Sequence, residues 1–230
     1  MKTALITGST KGLGLEIARE LALQGFHVWL SGRNDNAGKQ AEEQLRRERL
    51  EAQFVHMDIA HLPSIRSAFQ TISAHIEKLS ALVNNAGIQL DTGESVLHVS
   101  PDVIYETLHV NALGALFVTQ IFAPLLASGS RVVNVSSGGG QISSGMGGWA
   151  PMYCVSKVTL NAITIQLARA LLSKGVAVNS VSPGWVRTDM GGSLAPRSLE
   201  QGAQTPVWLA TEVPLEQTGF FWQDKAIIPW

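Results

Sequence analysis

Short β-branched runs alternate with longer helical patterns along the whole chain, and this order restricts the fold more than any single motif. Residues 3–7, 28–31, 53–57, 82–84, 131–135, 176–181 and 220–222 read as strands. Residues 13–24, 36–49, 63–77, 101–126, 152–173 and 199–210 carry helical periodicity. The fourth of these helices is expected to break near Asn111, because asparagine is disfavoured in a helix interior. Strands separated by helices pack as one parallel sheet covered on both faces. The expected class is therefore α/β, a doubly wound sheet in a single domain over residues 1–230.

The first strand meets the first helix through Thr7-Gly8-Ser9-Thr10-Lys11-Gly12-Leu13-Gly14. Gly8 permits a tight turn, Gly12 removes a side chain where a diphosphate must approach, and Gly14 lets helix and strand pack closely. The helix start adds free N–H groups and partial positive charge. Gly8, Thr10, Lys11, Gly12 and Leu13 are thus expected to hold a dinucleotide. The second strand ends Ser31-Gly32-Arg33-Asn34, with no carboxylate at its tip to take a ribose 2′-hydroxyl. Lys11 and Arg33 can instead flank a 2′-phosphate, which favours NADPH over NADH, although Asp35 follows closely. Asp58 and Ile59, after the third strand, face the expected adenine position. Asn85, Ala86 and Gly87 line the cleft, and Pro183, Gly184, Val186 and Thr188 reach the nicotinamide end.

Tyr153 and Lys157 stand four residues apart, on one helix face and about 5–6 Å from each other. A free phenol has a pKa of about 10, and a neighbouring ammonium is expected to lower it. A serine after the fifth strand, Ser136 or Ser137, can hydrogen-bond a carbonyl oxygen. A kink at Asn111 is expected to hold a water.

Other chemistries are disfavoured. All six histidines precede Ser137 and there is no G-x-S-x-G, so the hydrolase order Ser…Asp…His is impossible. No His/Cys/Asp cluster has metal-ligand spacing. With 17 basic and 18 acidic residues, the formal net charge is −1, and no imbalance suggests nucleic acid or an anionic membrane. The apolar stretch 112–127 contains Thr119, Gln120 and Pro124, falls short of the roughly 20 residues of a membrane span, and reads as a buried helix. A lone cysteine, Cys154, excludes an intrachain disulfide and fits a reducing, cytoplasmic setting.

T-G-x-x-x-G-x-G at Thr7, N-N-A-G at Asn84, Asn111, N-V-S-S at Asn134, Y-x-x-S-K at Tyr153 and P-G at Pro183 occur in one order. In this the chain resembles the short-chain dehydrogenase/reductase family over essentially its whole length. The resemblance implies a seven-stranded Rossmann sheet and a tetrad of Asn111, Ser137, Tyr153 and Lys157, choosing Ser137 over Ser136. The P-G-W-V-R-T-D-M-G-G and G-A-Q-T-P-V-W-L-A runs look most like the carbonyl reductase branch, which implies NADPH and a ketone or aldehyde substrate. Reduction of a 3-oxoacyl thioester and oxidation of a secondary alcohol are the alternatives within the family; a non-catalytic NADPH sensor would be expected to lack the tyrosine or lysine. Animal carbonyl reductases carry a long insertion between serine and tyrosine, where this chain has only the 15 residues 138–152. That insertion covers a dimerisation surface, so its absence implies a homodimer or homotetramer. The substrate pocket is expected from segments 138–149, 89–96 and 190–199.

Overall fold

A computed structural model describes residues 2–230. One sheet runs through the molecule in the order β3-β2-β1-β4-β5-β6-β7-β8. Its strands are β1 (Lys2–Ile6), β2 (Phe26–Gly32), β3 (Ala52–His56), β4 (Ala81–Asn84), β5 (Arg131–Val135), β6 (Ala177–Val181), β7 (Phe221–Gln223) and β8 (Ala226–Ile228). The helices are α1 (Gly12–Leu23), α2 (Asp35–Arg47), α3 (Leu62–Ser73), α4 (Pro101–Leu108), α5 (Ala115–Phe122), α6 (Pro151–Leu171) and α7 (Leu199–Thr211).

Side-chain alternation along the strands builds two cores. Ala4, Ile6, Val28, Leu30 and Val83 face Ile17, Leu21, Leu45 and Val207, so α1, α2 and α7 cover one face. Leu5, Trp29, Leu82, Val132 and Val178 face Ile65, Val118, Phe122 and Leu167, so α3, α5 and α6 cover the other. Strands buried on both sides explain their continuous apolar character. The strand order reverses between β1 and β4, and the crevice at their carboxyl ends is where a doubly wound sheet takes its ligand.

Two expectations need correction. The sheet has eight strands rather than seven, and the last is antiparallel, with Phe221 opposite Ile228. Its two-residue turn puts Asp224 (φ 52°) and Lys225 (φ 59°) in the left-handed region, as a primed hairpin turn requires, without the usual Asn-Gly or Asp-Gly signal. The helix expected to reach residue 77 ends at Ser73.

The break near Asn111 is present as a π-helical segment, His109–Gly114, between α4 and α5. By length and composition the combined stretch Pro101–Leu125 is apolar enough to cross a membrane, an 18-residue window within it having a mean hydropathy of 1.5. Half of that window is buried in this fold, where α5 packs on α3 and α4 packs on α6. Buried Thr107, Asn111 and Thr119 lie along the whole stretch Pro101–Leu125, as suits a core helix.

Candidate active site

The glycine loop is fastened from beneath. Asn85 Nδ2 donates to the carbonyls of Thr7 (3.0 Å) and Gly8 (3.1 Å), while Thr7 Oγ1 accepts from the Asn85 and Ala86 amides, each at 3.0 Å. A methyl group on Gly14 would run into the Gly8 carbonyl and Asn85. On Gly12, whose φ is +57°, it would meet nothing nearer than Thr188 Cγ2 at 3.8 Å, because Gly12 faces an open cleft. Lys11, at the helix boundary, provides no side-chain cap for α1. The first-turn N–H groups therefore remain available to an anion, so these residues fit a dinucleotide diphosphate.

At the end of β2, Arg33 is exposed and makes no hydrogen bond or ion pair among the described residues. Asp35 turns aside to His56, Oδ1 lying 2.8 Å from Nδ1, so the nearby carboxylate is already engaged. Lys11 reaches across the cleft mouth to Asp189, an exposed pair of the kind that contributes little stability. Asp58 Oδ1 accepts from the Ala60 amide at 3.0 Å; Asp58 and Ile59 both line the cleft.

The catalytic candidates lie at the other end. Tyr153 and Lys157, on α6, are 7% and 3% exposed. Lys157 Nζ stands 5.6 Å from the Tyr153 ring centre and donates to the Val135 carbonyl at 2.8 Å. Burial pushes the Tyr153 phenol up to about 12, with the Ser137 hydroxyl pulling the other way. Burial also pushes the Lys157 ammonium down to about 8. The phenol thus lies above its ordinary value rather than below it, with desolvation by burial as the largest cause.

Both serines border the cleft and differ in engagement: Ser136 is buried and donates to the Lys157 carbonyl at 3.4 Å, whereas Ser137 is half-buried and accepts from the Gly139 amide at 3.1 Å. Asn111 is almost fully buried, and its side chain is committed to Ile88 and Ser156. It stands 3.2 Å from the position a Gly87 methyl would occupy, and Lys157 Nζ stands 3.5 Å from it. The side chain therefore ties the helix break to Ile88 and to α6.

All these groups except Asn111 border one cleft of about 1400 Å³, roomy enough for a dinucleotide and a second molecule. Gly8, Thr10, Lys11, Gly12, Leu13, Arg33, Asn85, Ala86, Gly87, Pro183, Gly184, Val186 and Thr188 share it with Ser137, Tyr153 and Lys157. The expected substrate segments contribute Gln89, Thr92, Gly138, Trp149, Met190 and Leu199. Cys154 packs against Tyr153 and Ala150 in a small cluster of its own. Met57, Val110 and Gln223 also border the cleft and carry no motif. Their sequence signal is positional: Met57 follows β3 and Gln223 ends β7 at the carboxyl edge of the sheet, and Val110 lies within the helix break beside Asn111.

Residues 2–198 match the family described as short chain dehydrogenase. Carbonyl reductase [NADPH] 1 of Sus scrofa is 32% identical over 277 aligned positions, covering 100% of this chain and 94% of that protein. The alignment is longer than this chain's 230 residues, so the relative carries residues without a counterpart here. (+)-Neomenthol dehydrogenase of Arabidopsis thaliana is 30% identical, covering 97% of this chain and 96% of that one. Among solved structures, the carbonyl reductase Sniffer of D. melanogaster superposes with a TM-score of 0.90 at 27% identity, covering 100% of both chains. The NADPH-bound carbonyl reductase from chicken fatty liver has a TM-score of 0.91 at 22% identity, covering 100% of this chain and 99% of that one, a likeness of fold.

Proposed function

The chain belongs to the short-chain dehydrogenase family, and from that premise we propose that it reduces a ketone or aldehyde with NADPH, Tyr153 serving as the proton donor. One observation carries the assignment: a buried phenol, a buried ammonium and a serine hydroxyl border the same cleft as an uncapped glycine loop. In this reading Gly8, Thr10, Gly12 and Leu13 hold the diphosphate. Arg33 receives the 2′-phosphate together with Lys11, which exchanges Asp189 for it. Asp58 and Ile59 flank the adenine, Asn85, Ala86 and Gly87 line the ribose side, and Pro183, Gly184, Val186 and Thr188 orient the nicotinamide. The NADPH named for the Sus scrofa relative supports the choice of cofactor.

When bound, the reduced nicotinamide supplies a hydride to the carbonyl carbon. Ser137 and Tyr153 donate hydrogen bonds to the carbonyl oxygen and polarise it. As the carbon–oxygen double bond becomes single, the Tyr153 proton passes to that oxygen. The raised phenol pKa keeps this proton in place until the alkoxide develops. Lys157 stabilises the phenolate left behind. Asn111 is a positioning residue that fixes Ile88 and the Ser156 turn of α6. General acid catalysis of this kind contributes roughly 10²–10⁴-fold.

The (+)-neomenthol dehydrogenase relative favours a second reading, the same residues oxidising a cyclic secondary alcohol. Self-association is part of the proposal: Tyr105, Leu113 and Val155 leave apolar surface exposed on the helical layer of α4, α5 and α6. Sedimentation should show a dimer or tetramer. The enzymatic test is NADPH oxidation across ketones, aldehydes, quinones and steroids; no oxidation with any of them contradicts the reading.

A further inference from the structure

Asp91 is fully buried and does not border the cleft. It lies in the loop between β4 and α4. Its Oδ2 accepts from the amide of Met152, in the first turn of α6 and 61 residues away in sequence. The boundary residue of α6, Ala150, has no side chain able to cap. Asp91 therefore supplies from a distance the acceptor that this helix start lacks, and its charge opposes the positive end of the helix dipole. Two residues on, the Gly93 amide donates to the Trp149 carbonyl at 2.8 Å. The Trp149 ring lies 5.6 Å from the Tyr153 ring, tilted by 45°. Asp91 Oδ1 has no partner among the described residues. A buried carboxylate with one open oxygen is unfavourable by itself, so the chain retains it against a stability cost.

We propose that Asp91 is a positioning residue for the reacting phenol, pinning the first turn of α6 and, through the same loop, the Trp149 ring. Tyr153 immediately follows Met152, so any shift of the capped amide moves the phenol. The proposal rests on the reading of Tyr153 as the acid.

Two variants test it. Asp91→Ala removes the acceptor; Asp91→Asn keeps an acceptor oxygen and drops the charge. Amide exchange at Met152, followed by NMR, reports the cap without turnover. Steady-state kinetics and NADPH titration report its consequence. The expected result for Asp91→Ala is loss of Met152 protection and a fall in kcat of about 10²-fold, the scale of an ångström-sized misplacement, with the NADPH Kd unchanged. Asp91→Asn should keep the protection and most of kcat. Wild-type kcat in Asp91→Ala, or Asp91→Asn as slow as Asp91→Ala, overturns the proposal. If Asp91→Ala does not fold, Asp91→Asn decides alone: folded and near wild type supports it, folded and slow overturns it. If the wild type turns over no carbonyl, the functional reading fails separately, and retained Met152 protection in Asp91→Ala overturns the cap.

Discussion

Asn111 holds Ile88 by both of its backbone groups, Nδ2 donating to the Ile88 carbonyl and Oδ1 accepting from the Ile88 amide, each at 2.8 Å. A third contact, Nδ2 to Ser156 Oγ at 2.9 Å, reaches α6. One amide side chain thus ties the helix break, the end of the N-N-A-G loop and α6 together. Asn111→Ala leaves two backbone groups of Ile88 unmet. It should destabilise the fold by about 1–3 kcal/mol in denaturant titration and lower turnover more than NADPH affinity.

The glycine loop separates folding from binding. Gly14→Ala sets a methyl group against the Gly8 carbonyl and Asn85, so it should lower stability by about 1–3 kcal/mol, the usual scale of overpacking. Gly12→Ala meets only the open cleft. It carries a left-handed strain of about 1–2 kcal/mol and should still fold, but with weakened NADPH binding. Denaturation midpoints and NADPH titrations on both variants check the contrast.

Arg33 has no other partner among the described residues, so its loss should act on the cofactor alone. A hydrogen bond to a charged group is worth about 1.5–3 kcal/mol. Arg33→Ser should therefore lower kcat/KM for NADPH by about 10- to 100-fold and leave that for NADH nearly unchanged.

The pH dependence follows from two opposed shifts. Lys157 titrates near 8 and Tyr153 near 12. Carbonyl reduction should hold level through neutral pH, and kcat/KM should fall as pH rises through about 8, where the ammonium is lost while the phenol stays protonated. A decline only near the ordinary tyrosine value of about 10 would contradict this assignment. The same two groups also make stability depend on pH. Below pH 8 both folded and unfolded chains hold the lysine proton and the cost of burying the charge is fully present. Between about 8 and the unfolded value of 10.5 the folded chain binds fewer protons, so this group makes stability rise with pH. Between 10 and about 12 Tyr153 works in reverse, because the folded chain keeps a proton the unfolded chain releases.

Much of this architecture was legible in the residues. Period-two and period-3.6 patterns are local, and so are the glycine turn and the Tyr153–Lys157 spacing. The helix break at Asn111 was legible because asparagine is a poor interior residue. What escaped depends on distance or on burial. The eighth strand turns through Asp224 and Lys225, neither of which announces a hairpin. Asp91 meets Met152 only after the chain has closed on itself. The direction of the Tyr153 shift needed the depth of its burial, which four-residue spacing does not encode. Likewise, the engagement of Asp35 by His56 joins α2 to β3, which sequence proximity to Arg33 conceals.

The most direct measurement is NADPH oxidation by Tyr153→Phe with the best substrate of the carbonyl panel, run beside a titration of NADPH binding. Removing one hydroxyl from a buried ring leaves the cleft and its cations in place. Turnover should drop by roughly 10²–10⁴-fold while the NADPH Kd stays at its wild-type value. Substantial reductase activity in that variant, with NADPH bound normally, would contradict the assignment of Tyr153 as the proton donor.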